Sequence, residues 1–190
     1  MHISIIQHIR KFVGLSESEV AVFNKYVETI HLKKKEFIVR EGSVCRQLYF
    51  VEKGCLRMYF INKKGVEQIT QFALEGWWIS DYKSLLNSTP SDYYIQAIEE
   101  STIVSIENQN LDKLLIEIPQ LERYFRLMLQ KDVAGAQLRS KLLYEMSKEE
   151  FYIHFSTSFP LFMQRVPQYM IASYLGLTPE YLSELRKKKL

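Results

Sequence analysis

Cysteine is nearly absent from the chain. Cys45 and Cys55 are its whole complement, with nine residues between them. That spacing makes neither a disulfide framework nor a metal site, and a reducing cytoplasm is the expected location. Histidine is almost as rare: His2, His8, His31 and His154 include no pair at ligand spacing, so no metal and no cofactor is expected. No apolar run approaches a membrane span, and "MHISIIQHIRKF" lacks a basic region followed by a cleavage site. Neither a signal peptide nor a membrane partner is expected. No Ser/His/Asp, Cys/His or paired-carboxylate constellation stands out. A metal enzyme on a cupin-like barrel needs His and carboxylates on adjacent strands, and only His31 lies near the strand-rich region. The chain is therefore not expected to be an enzyme.

What is present is an ordinary globular composition, 47% hydrophobic and 25% charged over 190 residues. That suits one large domain or a domain with a small appendage. The net charge of +3 is unevenly placed. Residues 1–120 carry 14 Lys/Arg against 15 Asp/Glu, whereas 121–190 carry 11 against 7. A solvated basic tail accounts for this, and so does an anionic partner at that end.

Residues 3–28 read as helical, with Ile5, Ile6 and Ile9 at helical spacing and Ser16 and Glu19 placed as a capping box. From about residue 30 to 107 the pattern changes. Glycines at 42, 54, 65 and 76 separate short β-branched and aromatic runs, most clearly in "QLYFVEKGCLRMYFINKKGVEQITQFA". "SDYYIQAIEESTIVSIE" adds two strands after the loop "LLNSTPS". Turn signals at this interval predict a β-barrel or jelly-roll sandwich. "NLDKLLIEI" is a short helix stopped by Pro119, and a long helix then runs to about Met146. Its apolar positions include Leu121, Phe125, Met128 and Leu142, with Ala134-Gly135-Ala136 small enough for a second helix to approach. A dimer seam and a helix packed along its own barrel both fit this pattern. "SKEEFYIHFSTSFP" follows as a helix capped by Ser147. The chain thus divides into 1–118, 119–146 and 147–190.

The last unit has the positions of a helix-turn-helix. Counting from Gln168, a small Ala172 lets two helices meet, and Gly176 suits a left-handed turn. Ile171, Leu175, Leu177, Leu182 and Leu185 supply the inner faces. Thr178 is a good N-cap and Pro179 sits at the first helical position. If the second helix enters a major groove, Pro179, Glu180, Ser183, Glu184 and Lys187 face the bases. Thr178 and the helix N-terminus would meet phosphate. Gln168, Tyr169, Arg186, Lys187, Lys188 and Lys189 would carry the remaining phosphate affinity, against the repulsion of two glutamates.

Barrel, long helix and helix-turn-helix, in that order, resemble the Crp/Fnr family of bacterial transcription regulators. "RVPQYMIASYLGLTPEYLSELRKK" resembles the family's recognition unit, and "GWWISDYKSLL…SDYYIQAIEES" lies where its phosphate-binding cassette belongs. The resemblance implies an α+β fold: a cyclic-nucleotide-binding-type β-barrel (double-stranded β-helix or jelly roll), a long dimerisation helix and a helix-turn-helix. It implies a homodimer on double-stranded DNA, RNA polymerase as a further partner, and an effector pocket around Trp78, Ser80, Asp81, Tyr82, Ser91, Asp92 and Tyr93. On the long helix it implies a seam through Leu121, Phe125, Met128, Gly135 and Leu142.

This sequence departs from the family in three respects. Cyclic-nucleotide binders carry Gly-Glu and Arg-Ser in the cassette, where Ser80-Asp81 and Ser91-Asp92 stand here. Without the arginine a desolvated phosphate lacks its cation, so cyclic AMP is not the expected ligand and any effector is an unidentified small molecule. The N-terminal cysteine cluster of the iron–sulfur branch is missing. No β-hairpin wing follows the reading helix before Leu190, and where base-reading Arg-Glu and a later Arg belong this chain has Pro179, Glu180 and Glu184. Two functions fit: a dimeric DNA-binding regulator that does not use cyclic AMP, or a ligand- or partner-binding sensor whose terminal hairpin no longer reads DNA.

Overall fold

A computed structural model describes residues 3–188 of the chain. Two short helices open it, α1 (Ile3–Arg10) and α2 (Glu17–Phe23). Ser16 and Glu19 form the anticipated capping box at the start of α2: the Ser16 hydroxyl accepts from the Glu19 amide, and the Glu19 carboxylate accepts from the Ser16 amide. The helical reading of residues 3–28 runs too far, because α2 is capped at Asn24 and β1 (Val27–Leu32) begins three residues later. The strands β2 (Phe37–Val39), β3 (Gln47–Lys53), β4 (Leu56–Ile61), β5 (Glu67–Ala73) and β6 (Trp78–Ile79) follow. Helix α3 (Tyr82–Asn87) occupies part of the stretch expected to be a loop, and β7 (Tyr94–Ala97) and β8 (Ser101–Glu107) complete the strands.

These strands do not close into a barrel. They form two four-stranded antiparallel sheets, ordered β1-β8-β3-β6 and β2-β7-β4-β5. The edges of one sheet are not hydrogen-bonded to the edges of the other, so the expected barrel is an open jelly-roll sandwich. Leu48, Val51, Ile103 and Ile106 from the first sheet meet Leu56, Met58, Ile95 and Ala97 from the second in one core. Strand β3 is buried on both faces through Leu48–Val51, which hides the alternation expected of a half-buried strand. Its outer face is covered too: Phe50 packs against His8 of α1 and Trp78.

Helix α4 (Asn108–Glu117) leads to α5 (Gln120–Glu145), which spans 26 residues with Pro119 at its N-cap. The first half of α5 belongs to the sandwich. Leu121, Tyr124 and Met128 are buried there, and the Tyr124 hydroxyl accepts from the Trp78 indole at 2.8 Å while lying 2.9 Å from His8 Nδ1. The indole N–H can only donate, so the phenol oxygen is the acceptor in the Trp78 bond, while the donor in the His8 bond depends on the imidazole tautomer. Burial, with Lys11 and Lys131 nearby, lowers the pKa of His8 and favours its neutral form. Helices α6 (Lys148–Ser158), α7 (Pro160–Arg165), α8 (Gln168–Leu175) and α9 (Pro179–Lys188) finish the fold. Their apolar residues form a second core against the outer face of the second sheet, joining Phe162, Ile171, Leu175 and Leu182 to Tyr59, Ile69 and Phe72.

One turn in this framework tolerates only glycine. Gly54, between β3 and β4, has φ +103°, and a Cβ there would lie 2.2 Å from Ser101 Oγ and 2.7 Å from its Cα. Gly54→Ala is expected to cost about 2 kcal/mol or more, from strain plus displaced backbone. Urea denaturation with an unchanged midpoint would refute the close approach.

Candidate nucleic-acid interface and effector cassette

Helices α8 and α9 meet across a short turn. Gly176 takes φ +69° there, and the Leu177 amide returns to the Ala172 carbonyl at 2.8 Å, closing the end of α8. Thr178 caps α9 by accepting from the Tyr181 amide at 3.2 Å. Leu182 and Leu185 are buried, while Thr178, Pro179, Glu180, Ser183, Glu184, Arg186 and Lys187 are exposed on α9 or at its start. Tyr169 is exposed and Gln168 half-buried at the N-terminus of α8. The Lys188 side chain and Lys189 lie outside the described residues. The named residues therefore share one end of the molecule, with the two glutamates at the start and middle of the outward face and the cations at its end.

This helical pair is held to the sandwich by polar contacts that sequence spacing does not reveal. Strand β5 is an edge strand. Ser173 of α8 lies against that edge, accepting from the Ile69 amide at 3.0 Å and donating to the Glu67 carbonyl at 2.8 Å. The Gln68 amide group donates in turn to the Ser173 carbonyl. From α5, the Arg139 guanidinium donates to the Tyr174 carbonyl at 2.7 Å and lies over the Tyr174 ring. From the end of α7, Arg165 forks onto two carboxylates: both oxygens of Glu75, at 2.6 and 2.9 Å, and Glu99 Oε1. The hydrogen bonds from Arg165 bring the Glu75 carboxyl down to about 2.

The cassette residues do not line one open pocket. Trp78 is buried against Phe50 and Phe125. Ser80, Asp81 and Ser91 are also buried, and their hydrogen bonds close on one another and on backbone. Asp81 caps α3 through the Ser84 amide at 3.2 Å and accepts from the Ser91 hydroxyl at 2.7 Å. The Ser80 hydroxyl donates to the Gln47 carbonyl at 2.8 Å, and the Tyr93 amide donates to the Ser91 hydroxyl. Tyr82 is exposed at the border, Tyr93 is half-buried, and Asp92 is spent on a surface ion pair with Lys83 at 2.6 Å. Asp81 is the acid buried within this cluster, and its hydrogen-bond partners are the Ser84 amide and the Ser91 hydroxyl rather than a basic side chain.

Helix α5 divides its apolar residues between two surroundings. Of the five seam positions expected, Leu121 and Met128 are consumed by the chain's own core, and Leu142 packs against the second core. Phe125 is half-buried and Gly135 is open, with nothing near its Cβ position. The exposed apolar residues of α5 are instead Leu129, Val133, Leu138, Leu143 and Tyr144. A groove of about 520 Å³ runs between α4 and α5, lined by Leu111, Leu115, Phe125, Leu129 and Val133 among others.

The sequence matches the cyclic nucleotide-binding domain family over residues 29–117. The fumarate and nitrate reduction regulatory protein of Vibrio cholerae is 29% identical over 183 residues, covering 90% of this chain and 72% of its own. The regulatory protein HlyX of Actinobacillus pleuropneumoniae is 30% identical over 186 residues, covering 90% and 75%. Among solved structures, FixK2 of Bradyrhizobium japonicum superposes with a TM-score of 0.69 at 22% identity, covering 85% of this chain and 83% of that one. The first two relatives are named as regulatory proteins, and each match covers 90% of this chain. The chain belongs to the Crp/Fnr family of transcription regulators.

Proposed function

We propose that this regulator reads operator DNA as a homodimer, with residues 1–118 as sensor, 119–146 as dimer helix and 147–190 as a helix-turn-helix reading unit. The observation that carries the reading is α9: its leucines are buried, its N-terminus is capped by Thr178, and its polar face is open to solvent. Pro179, Glu180, Ser183 and Glu184 face bases in this arrangement. Gln168, Tyr169, Arg186, Lys187 and Lys188 take phosphate. The sensor that has lost DNA reading is the weaker alternative, because regulators match the chain over 90% of its length. RNA polymerase is the further partner that family membership implies.

The dimer seam is best drawn through Leu129 and Val133, one turn apart on the same stripe of α5, since these remain uncovered within one chain. The sensor takes an effector other than cyclic AMP, if it takes one. A ligand phosphate would meet the buried Asp81 carboxylate with no arginine to balance it.

Three outcomes test this reading. Random-sequence selection should recover a pseudo-palindromic site whose binding weakens steeply with salt. Replacing Arg186 and Lys187 by alanine should lower the salt slope by roughly 1 for each phosphate that is no longer neutralised. Salt-insensitive retention, or none at low salt, removes α9 as the reader. Val133→Glu with Leu129→Glu should give monomers in sedimentation equilibrium while the sandwich stays folded; a persistent dimer places the seam elsewhere. Calorimetry with cyclic AMP should show no binding, and micromolar affinity would overturn the account of the cassette.

A further inference from the structure

We propose that Arg165 is a positioning residue for DNA reading, a latch that fixes the α8–α9 unit to the loops on either side of the cassette. The inference rests on α8–α9 being the reader. Its motive is where the two carboxylates lie in the chain. Glu75 lies in the turn between β5 and β6, just before Trp78, Ser80 and Asp81, and Glu99 follows β7, which leads out of Ser91 and Tyr93. One guanidinium thus holds both ends of residues 76–98.

The loops around it are themselves locked together. The Gly54 amide donates to Glu75 Oε1 at 2.8 Å, the bare Gly54 backbone presses on Ser101, and the Ile98 amide donates to the Cys55 carbonyl at 3.0 Å. A displacement of the cassette segment therefore moves Glu75 and Glu99 as one body, and Arg165 carries that movement into α7 and the helices after it. Arginine suits the task because its fork reaches both carboxylates at once, which an ammonium cannot do. The pair is charged across the whole neutral range. Glu75 is held low, so its contribution is complete above its unfolded value of 4.5 and is lost only as pH falls through about 2.

The test compares Arg165→Gln and Arg165→Lys in the full chain by two readouts. The first is amide hydrogen exchange at Ile69, whose N–H is bonded to Ser173 only while the unit is docked. Arg165→Gln should speed it about fivefold, with Arg165→Lys in between and Ile103 and Val104 of β8 unchanged. The second is affinity for the selected DNA site, which should change by about threefold or more in Arg165→Gln. Unaltered Ile69 exchange overturns the latch, as does acceleration shared with β8, which marks general destabilisation. Faster Ile69 exchange with unmoved DNA affinity reduces Arg165 to a structural contact. If the unaltered protein binds no DNA, the reading of α8–α9 falls, while the exchange measurement still decides whether Arg165 holds the unit.

Discussion

The open edge of β5 is the constraint around which the C-terminal half is arranged. An unpaired strand edge offers N–H and C=O groups that must find partners or invite another chain. Here the partner is a serine on a helix. Ser173 both accepts and donates along β5, so a single side chain stands in for the missing strand. Satisfying that edge fixes where α8 lies, and with α8 go the Gly176 turn and α9. The aromatic contacts of Phe72 with Phe162 and Tyr174 then exclude water from the join.

The cassette obeys a similar requirement of satisfaction from within. A buried carboxylate needs donors, and Asp81 obtains them from its own neighbourhood, a helix amide and the Ser91 hydroxyl. Replacing an arginine–phosphate partnership by a serine–aspartate bond turns a receptor for anions into a closed structural knot. The fold is kept because the knot performs the packing that a ligand would otherwise complete.

Local features are the legible ones. The capping box at Ser16, the cap at Ser147, the stop at Pro119 and the Gly176 turn are set by residues within four positions of one another, so spacing alone predicts them. The order of elements is readable for the same reason. Closure of the sheets is not, since it depends on which edges meet, and that is decided by the helices that cover them. Of the seam residues expected on α5, Leu121 and Met128 are buried in the chain's own core, because helical periodicity identifies an apolar stripe without saying which neighbour buries it. Arg165 is invisible in the sequence: its partners stand 90 and 66 positions earlier, and a lone arginine before "VPQ" carries no pattern.

Helix α5 also has a mechanical character. Its first three turns are anchored in the sandwich by Leu121, Tyr124 and Met128, and the remainder, with mostly exposed side chains, meets the second core through Arg139 and Leu142. A rod of 26 residues is about 39 Å long at the usual helical rise. Tilting such a rod by roughly 5° at the Tyr124 anchor displaces its far end by roughly 3 Å, close to the spacing of successive bases along a DNA strand. The gain comes from leverage alone. By the same leverage, a shift of a few ångströms at the far end corresponds to a sub-ångström adjustment around His8, Tyr124 and Trp78.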